Sequence, residues 1–248
     1  MEINRMSTVR MASLGLLVVA VFGQADVGTN VRDAARPEAD TVRDSGRKPI
    51  KVLQFLGLQE GAVVMDVMAS SGYYTEVLAH AVGSRGTVYA QNPPMMLKYR
   101  DGFYDKAMTQ RLKGGRLANV ARLDRDMTDL GIPSGSVDLA ITALNFHDIY
   151  NSSGEAAALQ FMSQVYGTLK PGGVFGVIDH VGNPDGDNNR LHRMDEAVMR
   201  GLIARSEFQL DESGDFLRNA NDDHSGGVFA PDLRGNTDRF LFRLRKPK

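Results

Sequence analysis

Short apolar runs, each followed by a stretch of helical periodicity, recur along this chain and leave it few ways to fold. The first run, Ala62-Val63-Val64-Met65-Asp66-Val67-Met68, is continuous rather than alternating, the pattern of a strand covered on both faces. A turn of small residues, Ala69-Ser70-Ser71-Gly72, leads into a helix in which Val77, Leu78, Ala81 and Val82 share one face. Gly83 and Gly86 stop that helix, and Thr87-Val88-Tyr89-Ala90 begins a second strand. Asn119 to Leu123 reads as a weak third strand, Val137 to Leu144 as a strong fourth, and Val174 to Asp179 as a fifth. The helix before the fifth strand has Ser152 and Glu155 at capping-box spacing, an apolar face through Phe161 and Val165, and a Lys170-Pro171-Gly172-Gly173 stop. Val52, Leu53, Phe55 and Leu56 mark an earlier helix, and Leu191, Met194, Val198 and Leu202 a later one. Arg239 to Arg245 alternates basic with apolar, as a one-sided strand does, and pairs naturally with Phe208 to Asp211. The expected architecture is a doubly wound, mostly parallel seven-stranded α/β sheet with helices on both faces and an antiparallel C-terminal strand pair.

The N-terminus has a different character. Arg5 and Arg10 precede an apolar run from Met11 to Phe22, then Gly23-Gln24-Ala25. That is the layout of a signal peptide cleaved after Ala25, although a buried N-terminal helix is a competing reading. The run is too short to cross a hydrocarbon core of ~30 Å. The expectation is therefore an exported, periplasmic product with no stable membrane insertion after cleavage. Residues 26–47 are polar and read as a mobile leader, and residues 48–248 as one domain. With 29 basic against 30 acidic residues, the chain lacks the basic excess that nucleic-acid binding needs. It has no cysteine, which excludes disulfides, thiolate metal sites and cysteine nucleophiles.

In such a sheet, ligands bind beyond the carboxyl ends of the strands, where the strand order reverses. Asp66, Ala69, Ser70, Ser71 and Gly72 stand at the first such end. Small residues there let a ligand approach the backbone, and the following helix N-terminus favours an anion.

This order of acid, small-residue turn and helix resembles motif I of the class I S-adenosylmethionine-dependent methyltransferases, acid-x-Gly-x-Gly-x-Gly. Asp66 matches the acid and Gly72 the third glycine, while Met68 and Ser70 stand at the first two. Further stretches are similar to those of a group of bacterial exported methyltransferases known from sequence. These are Arg47-Lys48-Pro49, Gly72-Tyr73-Tyr74-Thr75, Val88-Tyr89-Ala90-Gln91-Asn92, Asn145-Phe146-His147-Asp148, Leu169-Lys170-Pro171-Gly172-Gly173 and Arg234-Gly235-Asn236-Thr237-Asp238-Arg239-Phe240. The resemblance implies S-adenosylmethionine as cofactor and a small-molecule methyl acceptor. It implies that Asn92 meets the ribose hydroxyls, Asp126 the adenine amino group and Met127 the adenine ring, with Asn145 at the same pocket. A solvated helix-capping role competes for Asp126.

His147, Asp148 and His180 follow the fourth and fifth strands and are the catalytic candidates. A His–Asp pair suits general-base work, since histidine titrates near neutrality and a carboxylate orients it. Alternatively, Asp148 and Asp179 hold a divalent ion that positions a hydroxyl, or these groups are structural. Tyr73, Tyr74 and the methionines read as core, His192 and His224 as solvated, and 219–227 with Asp222 and Asp223 as a surface loop. Methyl transfer is the leading function. A catalytically silent exported binding protein is the second reading and a nicotinamide-dependent oxidoreductase the third. The acid inside the first strand and the terminal strand pair count against the third.

Overall fold

The computed structural model describes residues 27–32, 34–126 and 128–248, so the expected signal peptide and Met127 lie outside the described residues. The parallel strands are β1 (Val63–Val67), β2 (Thr87–Gln91), β3 (Val120–Leu123), β4 (Val137–Ala143) and β5 (Leu169–Gly182), with a short β6 (Met194–Asp195) beside β5. β7 (Gln209–Gly214) and β8 (Arg239–Arg245) complete the sheet as an antiparallel pair, β8 lying against β5. The order β3-β2-β1-β4-β5-β8-β7 matches the expected doubly wound architecture. Strand order reverses between β1 and β4, which opens a crevice beyond their carboxyl ends.

Residues of β1 alternate between two apolar layers. Met65 and Val67 pack with Phe146, Phe161 and Phe175, whereas Val64 packs with Leu53, Val77 and Leu78. This two-sided cover is why the run carries no polar alternation. The helices supplying the layers are α4 (Pro49–Leu56), α5 (Tyr73–Val82), α6 (Pro94–Leu112, kinked at 99–102), α7 (Phe146–Thr168) and α9 (Glu196–Arg205).

The helix expected from Ser152 begins instead at Phe146, directly after β4, and is broken at Gly154 (φ 79°). Ser152 meets Ser153 and Glu155 meets Arg205, so no capping box forms. The single helix expected around 191–202 is two, a short α8 (Asn188–Leu191) and α9, separated by His192 (φ 54°) and β6. Asp195 starts α9 by accepting from Ala197 N at 2.8 Å.

Residues read as a mobile leader are folded onto the domain as α1 (Val27–Arg32), α2 (Glu38–Thr41) and α3 (Asp44–Arg47). Val27 and Val31 are buried, Asp40 pairs with Arg111 at 2.6 Å, and the Tyr73 hydroxyl donates to Asp44 at 2.6 Å. Their partners lie far along the chain, so local sequence shows only unpaired charge.

Candidate functional site: a cavity beyond β1 and β4

A cavity of about 780 Å³ opens at the switch point, within the range of small-molecule sites. Its floor is the turn after β1. Met68 (φ 54°) and Ser70 (φ 55°) are both left-handed, as is Leu144 (φ 64°) at the end of β4. Side chains rarely adopt that conformation, which costs roughly 1–2 kcal/mol per residue. The two positions where glycine is usual in motif I thus keep glycine-like backbone despite carrying side chains. Met68 is buried with the core cluster beneath the turn and also forms part of the cavity lining.

Hydrogen bonds from both sides over-determine this backbone. Gln91 Oε1 accepts from Met68 N at 3.0 Å, and its Nε2 donates to Arg125 O. Asn92 Oδ1 accepts from Ser70 N at 2.8 Å while its Nδ2 donates to Ser70 O at 3.2 Å. From β4, Asn145 Nδ2 donates to Met68 O at 2.9 Å. Here the expectation for Asn92 is corrected: it is fully buried behind the turn, outside the cavity lining, and both ends of its amide are engaged. An amide serves where a carboxylate would not, because it both donates and accepts.

Two more expectations need correcting. Gly72 (φ 84°) begins α5, but a Cβ there would meet Arg111 and Met108 at 2.9–3.0 Å, so it permits packing rather than ligand approach. Asp126 is exposed and outside the cavity lining; its backbone carbonyl accepts from Asp129 N, and no described helix begins there for it to cap. Asp66, Ala69, Ser70, Ser71, Asn145, His147, Asp148 and His180 do line the cavity. Asp66 is buried and accepts from Thr75 Oγ1 at 2.7 Å; burial lifts its pKa to about 7 against that hydrogen bond.

Beyond β4 and β5, His147 stands between two carboxylates. Its Nδ1 lies 2.7 Å from Asp179 Oδ1 and its Nε2 3.2 Å from Asp148 Oδ1. Asp179 is wholly buried and also accepts from His147 N and His180 N. Burial works against charge on His147, but the Asp179 charge and the bonds to both carboxylates prevail and raise its pKa to about 10. Asp148 and Asp179 therefore do not face one another across an ion, as the metal reading required. Instead His147, Asp148 and His192 place ligand atoms within 4.8 Å of one another. His192, read as solvated, has Nδ1 3.1 Å from Asp148.

His180 sits differently. Thr237 Oγ1 accepts from Arg239 Nε at 3.1 Å and lies 2.6 Å from His180 Nδ1. Burial, reinforced by Arg239 and His147, holds the His180 pKa well below the usual value, so the ring is neutral. His224, also read as solvated, bonds Asp238 at 3.0 Å, and Asp222 is buried against Arg193.

Sequence reasoning missed four lining arginines, Arg43, Arg47, Arg234 and Arg239, and the α6 residues Met96, Phe103 and Tyr104. Arg47, Arg234 and Arg239 all lie inside stretches that carry the family resemblance. That was the available signal, since nothing local marks them.

No family model and no curated protein matches the chain. Among solved structures, a SAM-dependent methyltransferase from Aquifex aeolicus aligns over 88% of this chain and 98% of its own at 19% identity, TM-score 0.62. The [4+2]-cyclase SpnF aligns over 82% and 81% at 14% identity, TM-score 0.60. A Bordetella parapertussis protein described as a "possible exported protein" aligns over 86% and 71% at 15% identity, TM-score 0.54. The strand order with its β5–β8–β7 antiparallel edge and these alignments together show that the chain has the fold of the class I S-adenosylmethionine-dependent methyltransferases.

Proposed function

We propose that the protein transfers the methyl group of S-adenosylmethionine to a small acceptor bound in this cavity. The observation that carries the reading is the left-handed, doubly braced turn at Met68–Ser70 beneath a cavity at the switch point. Three left-handed residues with side chains at one cavity are a concentration of strain of the kind found at functional sites.

The residues present fit the two ends of the cofactor unequally. Ala69, Ser70 and Ser71 offer a close-approach surface next to the α5 N-terminus, which suits an amino-acid carboxylate. With Asn92 engaged and Asp126 outside, the nucleobase end would rest on Met96, Phe103 and Tyr104 of α6 by stacking and apolar contact. The cofactor, when bound, supplies an electrophilic methyl and a neutral leaving group, so the protein's main task is in-line placement.

His147 is the group to receive an acceptor's proton. Asp179 orients it through Nδ1, while its Nε2 partner Asp148 is half exposed. Displacement of Asp148 by an acceptor hydroxyl removes one of the two carboxylates that hold the imidazole charged, and so brings it towards base function. His180 is neutral, and its Nδ1 is held by Thr237.

The reading is tested by calorimetric titration of the chain with S-adenosylhomocysteine. Saturable binding is expected, and Phe103→Ala, an exposed site, should weaken it about tenfold without loss of fold. Binding of neither S-adenosylmethionine nor its product would leave the silent binding protein as the better description, and binding of a nicotinamide dinucleotide the oxidoreductase. The export reading rests on the pattern at residues 1–25; no described helix is long and apolar enough to cross a membrane.

A further inference from the structure

Two histidines from separate parts of the chain converge on a single carboxylate oxygen. His147 Nε2 and His192 Nδ1 lie 3.2 and 3.1 Å from the same atom, Asp148 Oδ1. One ligand atom from each of the three residues lies within 4.8 Å of the other two. Two ligands about 2.0 Å from one ion stand roughly 3.3 Å apart at tetrahedral angles. The three groups therefore have the spacing of a coordination sphere.

Each histidine is fixed from behind. His147 is buried, and Asp179 sets its ring by holding Nδ1 at 2.7 Å, which leaves Nε2 as the nitrogen presented to Asp148. Both oxygens of Asp179 are engaged, since it also accepts from His147 N and His180 N, so it stands behind the ring and not beside it as a further ligand. A carboxylate in that position is the common outer partner of a metal-binding histidine.

His192 is half-exposed, yet its backbone is tightly placed. It is left-handed (φ 54°) between α8 and β6. Asn151 of α7 donates to Asn188 O at 3.2 Å and to Arg193 O at 3.0 Å, which ties both flanks of His192 to the helix carrying His147 and Asp148. Arg193, the next residue, is fully buried against Asp222. Phe229 packs edge to face with the His192 ring, centroids 5.1 Å apart. A histidine that only met solvent would need neither the strained backbone nor the clamp.

We propose that His147, Asp148 and His192 form a binding site for a divalent transition ion of the zinc class. Two imidazoles with one carboxylate favour such an ion over Mg2+ or Ca2+, which take oxygen ligands. The ion enters by displacing the proton on His147 Nε2, which leaves to solvent. It then occupies the lone pair that would receive an acceptor's proton. On the methyl-transfer reading the ion-free chain is thus the active form, and zinc switches it off; the binding site itself does not depend on that reading.

The test titrates Zn2+ into the full chain, free of any histidine tag, by calorimetry and by competition with a chromophoric chelator. Saturable binding of one ion per chain is expected, and about a hundredfold excess of Mg2+ should leave it in place. His192→Asn suits the left-handed backbone, so circular dichroism should show the fold kept while zinc affinity falls about tenfold or more. Asp148→Asn, at a half-exposed carboxylate, should show the same loss and decides the matter if the first variant misfolds. Absence of saturable binding, displacement by Mg2+, or undiminished affinity in these variants overturns the proposal. Zinc should also suppress methyl transfer, with recovery on adding chelator. Tight binding with turnover undiminished overturns the switching role. Absence of turnover under every condition removes the methyl-transfer reading, and the binding measurements still decide the site.

Discussion

On the strand side of the turn after β1 the polar side chains are used up, whereas on its helix side, along α3 and α5, donors are left open. Gln91, Asn92 and Asn145 give their amides to the backbone of Met68 and Ser70. The Arg47 guanidinium and the Tyr74 hydroxyl meet no such acceptor among the described residues. The first is shaped to hold an unfavourable backbone conformation, and the second leaves polar groups facing the cavity. Buried polar groups are costly unless satisfied, so the open end marks where a ligand completes the structure, and the closed end where the protein completes itself.

The comparison breaks most readily at Asn92. Asn92→Asp keeps the shape but removes the donor to Ser70 O and places an acceptor against a carbonyl in a fully buried position. We expect a loss of about 2 kcal/mol or more in denaturant unfolding. Unchanged stability would mean that the turn does not depend on its amide brace.

A second, intermediate effect separates the histidines. The folded pKa of His147 lies near 10, above an ordinary value of about 6.5. Its contribution to stability is therefore complete below about pH 6.5 and is lost as pH rises towards 10. Transfer that needs neutral His147 should increase over that same interval. Asp148→Asn removes one of the two carboxylates and so lowers the pKa, moving the rise in kcat/KM to lower pH. A pH–rate profile that does not move would remove His147 from the base role. Chelator should leave turnover unaltered if His147, Asp148 and His192 act without an ion.

The smallest effect sharpens the account of strain. Ser70→Gly releases a left-handed residue but adds freedom to the unfolded chain and loses the weak Ser70 Oγ–Met68 O contact. A net gain of about 0.5 kcal/mol is expected in chemical denaturation. A clear loss would show that the serine hydroxyl, not the backbone, matters there.

Much of the sheet was legible because strand burial is a local property. Val63 to Val67 had to be covered on both faces wherever it lay, and the glycines at its ends marked its limits. Legibility failed where a residue's environment came from distant chain. The leader looked mobile because Asp40 and Arg111 are 71 positions apart, and His192 looked solvated because Asp148 is 44 away. The 219–227 loop looked like surface because nothing nearby announces that Asp222 is to meet Arg193. Asn92 was assigned to a ligand because its position in the strand order was readable and the direction of its amide was not.

The sequence by itself determined the order of the main parallel strands and the antiparallel terminal pair, the turn that follows β1 and the identity of the groups at the ends of β4 and β5. Periodicity and turn chemistry act between neighbours, and neighbours are what a sequence displays. Only the tertiary structure decided which polar groups are spent on the protein and which remain for a ligand. That division depends on hydrogen-bond geometry among residues brought together from α3, α5, β5 and β8, where a difference of an ångström separates a brace from an open donor.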